Sequence, residues 1–200
     1  MSAEHKLSGV RGYTVVPCAR VKIKEFVEQW HYSKSINGIK SSYCFALYDG
    51  ATLIGGMIYG KMSMANQWKR FGKTEDDVIE LRRLCCIDDT PRNTESYFIG
   101  SSLRWLRKNT ELKIVVSYAD TEQGHQGTIY KASNFSCLGW NVGARVIFWE
   151  GKKYHDKAIR AKYKGALKPF AIRLKAALDE GAAKYQKTAG KITYVYVLKG

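Results

Sequence analysis

Apolar positions along the chain fall into short runs whose period changes, and the changes mark out elements. Residues 13–18 read as a short strand. Val21, Phe26, Val27 and Trp30 then recur near helical spacing, which predicts a helix over about 22–32. A polar loop, 33–42, follows. The apolar runs 43–48 and 52–59 flank Asp49-Gly50, a strong two-residue turn signal, and predict a hairpin. Residues 61–77 read as an irregular basic loop, and 78–87 as a strand stopped by Asp88-Asp89-Thr90-Pro91. A cap at or near Thr94 opens a helix through 96–108. The β-branched run 113–118 is typical of a buried strand. A short helix over 128–133, a strand pair or one long strand over 140–150, a helix within 168–186 and a last strand over 192–198 complete the chain.

This order predicts an α/β fold. Right-handed crossovers make the strands of the central β-α-β-α part parallel neighbours, and the preceding hairpin makes the sheet mixed. The expected architecture is a central twisted sheet with helices on both faces. No repeat and no Pro/Gly/Ser linker interrupts the sequence, and Pro occurs only three times. The reading is one continuous domain, 1–200, with a basic C-terminal part from about 151. A chain of this length buries roughly 70% of its unfolded surface, enough for a core without staples.

Charge narrows the function classes. Lys and Arg number 33 against 18 Asp and Glu, a net charge of +15. A field of that sign raises encounter with polyanions. Nucleic acid is the first partner expected and an anionic membrane surface the second. Against a membrane, no apolar run approaches the ~20 residues of a spanning helix, and residues 1–12 are polar with no apolar signal core. The expected location is therefore the cytoplasm. The five Cys are odd in number and include no Cys-x-x-Cys, which argues against a disulfide framework or zinc ribbon. Reduced thiols in the core are the better reading, Cys85 and Cys86 included.

Residues 151–175 concentrate the cations: Lys152, Lys153, Lys157, Arg160, Lys162, Lys164, Lys168, Arg173 and Lys175, with Asp156 the one acid. Tyr154, Tyr163 and Phe170 are interleaved. This pattern suits a face that tracks phosphates and stacks bases. A solvated amphipathic helix with Leu167, Phe170, Leu174 and Leu178 inward is the alternative.

Several motifs carry a family resemblance. Glu80-Leu-Arg-Arg-Leu-Cys-Cys-Ile-Asp88, the helix 97–106, Val115-Val116-Ser117-Tyr118-Ala119-Asp120 and Thr128-Ile129-Tyr130-Lys131-Ala132-Ser133-Asn134-Phe135 resemble the core of GCN5-related N-acetyltransferases (GNATs). Trp30-His31-Tyr32-Ser33, Leu81-Arg82-Arg83-Leu84 and the run from Ala119 to Tyr130 are similar, more specifically, to the Mom family of phage DNA-modification proteins. The resemblance covers about residues 25–149. It implies double-stranded DNA as partner and conversion of its adenine to N6-carbamoylmethyladenine, which blocks restriction enzymes, and it points to His31, Tyr32, Asp120 and Tyr130.

Each of these residues has a chemical reading beside a structural one. Asp120 follows a strand, where ligands of open α/β sheets sit, and its carboxylate can accept a proton from an amine; it can equally cap the next turn. The resemblance makes Tyr130 a general acid, whereas helix tyrosines are usually half-buried packing. Trp30 and Tyr32 suit stacking on an extruded base, and His31 suits either an acceptor site or a helix C-cap. His31, Tyr32, Asp120 and Tyr130 also form a candidate iron set. Arg82 and Arg83 meet phosphates or pair with carboxylates.

One segment departs from the GNAT pattern. Acetyl-CoA users cradle a pyrophosphate on a Gly-rich turn before a helix. Here that segment, 88–96, has no glycine, one proline and several acids. Two donors follow: glycyl-tRNA, which makes tRNA a second polyanionic partner, and acetyl-CoA as its rival. Competing functions are a GNAT acetylating a protein or small amine, and a non-catalytic basic DNA-binding module. An amino-methyltransferase is disfavoured, because neither its Gly-rich turn nor its Asp/Asn-Pro-Pro-aromatic motif is present.

Overall fold

A computed structural model of the protein describes residues 9–199. The expectation about the polar N-terminus falls mostly on residues 1–8, outside the described residues. In chain order the first elements are β1 (Tyr13–Cys18), α1 (Arg20–Trp30), β2 (Ser41–Asp49), β3 (Thr52–Gly60), β4 (Val78–Cys86), α2 (Thr94–Asn109), β5 (Ile114–Asp120) and α3 (Thr128–Ala132). The rest are β6 (Ser136–Asn141), β7 (Arg145–Trp149), β8 (Lys152–His155), β9 (Lys162–Tyr163), β10 (Ala166–Leu167), α4 (Pro169–Asp179), β11 (Lys184–Lys187) and β12 (Lys191–Val197). The chain divides into two compact units: residues 1–119, 127–139 and 193–200, and residues 120–126 with 140–192.

The first unit is built on a seven-stranded sheet, ordered β1-β2-β3-β4-β5-β12-β6. β1 to β4 pair antiparallel, and β4 and β5 are parallel, as the crossover through α2 requires. Two adjacent glycines in β3 show why helices cover both faces. Successive strand residues point to opposite sides. A β-carbon on Gly55 would lie 3.2 Å from the Phe98 ring of α2, and one on Gly56 would lie 2.9 Å from Val27 of α1. The missing side chains let both helices approach the same stretch of sheet. Cys85 and Cys86 divide in the same way, Cys85 packing in the α1 cluster with Ile23 and Val27. Cys86 Sγ lies on the Phe98 side, 3.1 Å from where a Gly55 β-carbon would stand.

The β4–β5 ladder is short. Its register runs Val78↔Ile114, Ile79↔Val115 and Glu80↔Val116. Beyond that pair the two strands continue, β4 to Cys86 and β5 to Asp120. The sheet therefore opens into a wedge whose apex is Glu80.

The second unit holds a three-stranded sheet, β11-β7-β8, and the pair β10-β9. Its core is Ile147, Leu174, Ala177 and Ala183, flanked by Trp149, Tyr154 and Phe170. The helix expected within 168–186 is α4 and ends at Asp179; Gly181 takes a left-handed φ of +78° and turns the chain into β11. β11 escapes pattern reading because all four of its residues are exposed. Of the strand pair or long strand expected over 140–150, the structure has two strands, β6 and β7, around Gly143, where a β-carbon would collide with the Thr188 carbonyl oxygen. Tyr154 and Phe170 stack at 5.1 Å inside this core rather than beside the lysines.

Asp77 fastens the start of β4. Its carboxylate accepts from the backbone N–H of Lys73 and Thr74 and meets Lys113 Nζ at 2.9 Å. These contacts, the Lys113 bond foremost, lower its pKa from 3.8 to about 2. A lowered carboxylate pKa stabilises the fold above its ordinary value and is lost as pH falls through the folded one. Denaturation midpoints of the wild type should therefore fall between pH 4 and 2, and Asp77→Asn should flatten that limb while lowering stability at pH 7. Burial pushes the Cys85 thiol up to about 12 and Cys86 higher still. Only thiolate is nucleophilic, so iodoacetamide at pH 8 should label exposed Cys137 first. Cys85 and Cys86 should label only after denaturant, read by peptide mass analysis.

Candidate active site

The wedge collects polar side chains that the flanking strands leave without apolar neighbours. Glu80 is buried at its apex. One carboxylate oxygen accepts from Arg82 Nη1 at 3.2 Å and from the Ser63 backbone N–H at 3.3 Å. On β5, Ser117 is fully buried, and the Tyr118 hydroxyl accepts from Gln67 Nε2 at 2.8 Å. Burial, then the Glu80 charge, pushes Tyr118 up to about 12.

Tyr130 enters from α3. Gly127 starts that helix at φ +74°, and a β-carbon there would lie 2.2 Å from the Tyr194 ring. This close approach sets Tyr130 between two rings, with centroids 5.2 Å from Tyr194 and 5.6 Å from Phe135. Burial pushes the phenol up to about 12, and Tyr32 and Glu80 add to the rise. A phenol raised in this way stays neutral near pH 7 and is able to donate a hydrogen bond or a proton.

His31 caps α1 at its C-terminus, its N–H donating to Val27 O. The Ser33 backbone N–H donates to His31 Nδ1 at 3.1 Å, which places the ring proton on Nε2. The ring is buried and stacks on Tyr32 at 4.2 Å. Tyr32 is 47% exposed, a face open to a ligand. Trp30 sits at the edge of exposure and leans on Phe26. The loop after α1 is pinned by Arg20, whose guanidinium donates to Ile39 O and Ile36 O at 2.8 and 2.6 Å. Arg83 adds a bond from Nε to Ser35 O at 3.2 Å.

Within the first unit Tyr32 and Glu80 thus lie in electrostatic reach of Tyr130. Glu80 and Ser117 were passed over as site residues in the sequence. The available signal was a carboxylate inside the apolar run Val78-Ile79-Glu80-Leu81. Arg82 is ion-paired with Glu80, and Arg83 is half-buried and bonded to carbonyls, so both guanidinia are committed within the fold.

Asp120 lies in the second unit. It caps a short 3₁₀ turn, accepting from the Glu122 N–H at 3.2 Å, and pairs with Lys191 Nζ at 3.0 Å. Both carboxylate oxygens are thereby engaged. Among the described residues no group of three or more His, Cys, Asp or Glu is arranged to hold a metal. Nothing in the geometry supports the iron expectation. The exposed lysines of this unit, Lys152, Lys157, Lys162 and Lys164 among them, surround few acids. Lys153 is bonded to Glu122 at 2.8 Å, and Arg160 lies 3.6 Å from Asp156. Tyr163 is 67% exposed under Lys164, the one aromatic of the basic run open to a partner.

A groove of about 480 Å³ follows the wedge in the first unit, between the β4–α2 turn and α3. Its lining includes Asp88, Arg92, Asn93 and Glu95. Asn93 adopts a left-handed φ of +73° before α2, so asparagine supplies the turn that glycine would give. The charge is another matter. Two carboxylates against one guanidinium do not suit a diphosphate, and the residues present do not fit the pyrophosphate of coenzyme A.

No described helix is long and apolar enough to cross a membrane. Among solved structures the fold is similar to Arabidopsis thaliana NAA60 bound to acetyl-CoA, with a TM-score of 0.56 and 11% identity over 94% of this chain and 99% of that one. It is also similar to the spermidine/spermine N-acetyltransferase SpeG of Vibrio cholerae, with a TM-score of 0.53 and 10% identity over 94% of each chain. At such identities the likeness shows the fold alone, that of the GNAT acetyltransferases. In sequence, the chain is 29% identical to the methylcarbamoylase Mom of Escherichia phage Mu over 156 residues, 75% of this chain and 63% of that relative. The family model described as the Mom protein family matches residues 12–200. With an opened GNAT sheet and a match that spans nearly all of its length, the chain belongs to the Mom protein family.

Proposed function

We propose that the protein is a DNA-modifying transferase that converts adenine to N6-carbamoylmethyladenine. The observation that carries this reading is the family match over residues 12–200, taken with the protonated phenol of Tyr130 at the wedge. The net charge of +15 suits a polyanionic substrate.

The donor we favour is glycyl-tRNA. Adenine N6 attacks the glycyl ester, forming an amide and releasing the tRNA 3′-hydroxyl. The free glycyl amine then attacks C6, and the original N6 leaves as the carboxamide nitrogen. The product is an isomer of the first adduct, so no oxidant or further reactant is needed. Tyr130 gives its proton to the departing 3′-oxygen. A phenol near 12 matches an alkoxide better than it matches a thiolate, whose ordinary pKa is ~8.5. Asp120 is proposed as the acceptor of the amine proton. Tyr32, stacked on His31, presents its exposed ring to the extruded base. The acidic lining beside α2 disfavours acetyl-CoA as the rival donor.

Nucleoside mass analysis of plasmid DNA from cells making the protein should reveal N6-carbamoylmethyladenine; wholly unmodified adenine rejects the reading. Tyr130→Phe keeps the ring packing and should lower modification by about 10²-fold or more, the usual weight of a general acid. Asp120→Asn should lower it comparably with DNA affinity retained. Incubation with DNA and either labelled glycyl-tRNA or labelled acetyl-CoA distinguishes the donors, and label entering from CoA alone overturns the first choice.

The second unit is proposed to hold DNA phosphates. Replacing Lys157, Lys162 and Lys164 by Ser should reduce the slope of log affinity against log salt by roughly 0.9 for each contact removed. An unchanged slope takes these lysines out of the interface.

A further inference from the structure

The loop between β3 and β4 has no part in the chemistry above, yet it is rooted in the same wedge. From Lys61 to Thr74 it contains Lys61, Lys69, Arg70 and Lys73 and no acid. Its base is fastened by Lys61, 3.4 Å from Glu75 and 3.8 Å from Asp76. Two further bonds tie it to the wedge: Ser63 N–H to Glu80, and Gln67 Nε2 to the Tyr118 hydroxyl. Between these anchors stands a short ordered turn. Gln67 N–H donates to Met64 O and Lys69 N–H donates to Asn66 O, both at 3.2 Å, and Asn66 bends the chain at φ +63°.

Met64 occupies this turn with 61% of its surface exposed. It is one residue from Ser63, hence about 4 Å along the backbone from a group bonded to Glu80. An apolar side chain held out on a hydrogen-bonded turn of a basic loop has no packing role within the fold. Cations also ride on the loop's aromatics, Lys69 Nζ 5.6 Å from the Trp68 ring and the Arg70 guanidinium 5.4 Å from the Phe71 ring. Proteins that unstack duplex DNA insert such apolar wedges, methionine and leucine among them, and a base buried in the stack must leave it before its N6 can react.

We infer that Met64 is the wedge that enters the duplex beside the target adenine and holds it extruded, with Lys69 and Lys73 on the flanking phosphates. The inference rests on the reading of adenine as the substrate. It places extrusion on the β3–β4 loop, apart from the groups that act on the base.

The test is donor-free. Duplexes carry 2-aminopurine in place of adenine in each flanking-base context, either paired with thymine or opposite an abasic site. Fluorescence reports unstacking, and anisotropy reports affinity. Wild-type protein should raise the fluorescence of the paired duplex several-fold. Met64→Ala should lose at least about fivefold of that rise on the paired duplex, while keeping most of it opposite the abasic site, where little unpairing remains to be done. Met64→Leu, which restores an apolar wedge, should recover the signal. An undiminished rise with Met64→Ala on the paired duplex overturns the role of the loop and leaves the adenine reading intact. Wild-type protein that binds both duplexes without raising either signal removes the extruded-base reading itself, and the role of Met64 with it.

Discussion

The structure turns on where two parallel strands stop pairing. β4 and β5 share a ladder only to Glu80 and Val116, yet both run on for several residues. Strand backbone beyond the ladder has lost its partner on that side, and such groups must find others or meet a ligand. The opening survives because the strands are held elsewhere. β4 remains paired along β3 as far as Cys86, and both faces of β3 are covered through the gap left by Gly55 and Gly56. At the other end, Asp77 and Lys113 fasten the two strands where their ladder begins. Clamped below and free above, the pair makes a rigid fork instead of a fraying edge.

The groups gathered in the fork have a common electrostatic character. Tyr118 and Tyr130 are both pushed up to about 12, chiefly by burial. Tyr194 is raised by burial as well. One buried carboxylate, Glu80, stands among these phenols with Arg82 as its counter-ion. A site of neutral phenols donates hydrogen bonds and gives up protons late. It suits chemistry in which negative charge appears on an oxygen and must be discharged. The field that would attract a polyanion arises elsewhere, from the exposed lysines behind the net charge of +15.

Legibility in the sequence followed the strength of the local signal. β1, the β2–β3 hairpin, β4, α2 and α3 were readable to within a few residues, because periodicity and Asp49-Gly50 speak plainly there. β8 to β11 were not. They are short and mostly exposed, and Gly181 ends a helix whose amphipathic pattern continues past it. Tyr154 and Phe170 looked like stacking platforms among lysines, whereas they pack on Trp149; alternation of aromatics with cations does not say which side of a strand faces the core. His31 and Tyr130 were legible only through motif resemblance. Glu80 and Ser117 were obscured because a polar residue inside an apolar strand gains meaning only when the neighbouring strand is known to part from it.

The fold and the donor groove point in different directions, and charge decides between them. The GNAT frame is compatible with many acyl donors, since the wedge presents strand backbone to whatever chain lies in it. What commits a member to coenzyme A is the anion cradle at the start of the helix after β4. In this chain the backbone part of that cradle is nearly kept: Asn93 takes the left-handed conformation and α2 begins directly after it. The anion part is not, because Asp88 and Glu95 line the same groove as Arg92. Two carboxylates lining a groove oppose a diphosphate there more strongly than one exposed guanidinium offsets. The proposed glycyl ester is uncharged at its carbonyl, so that opposition does not act on its reactive end, and its leaving alkoxide matches the proposed role of Tyr130 as proton donor.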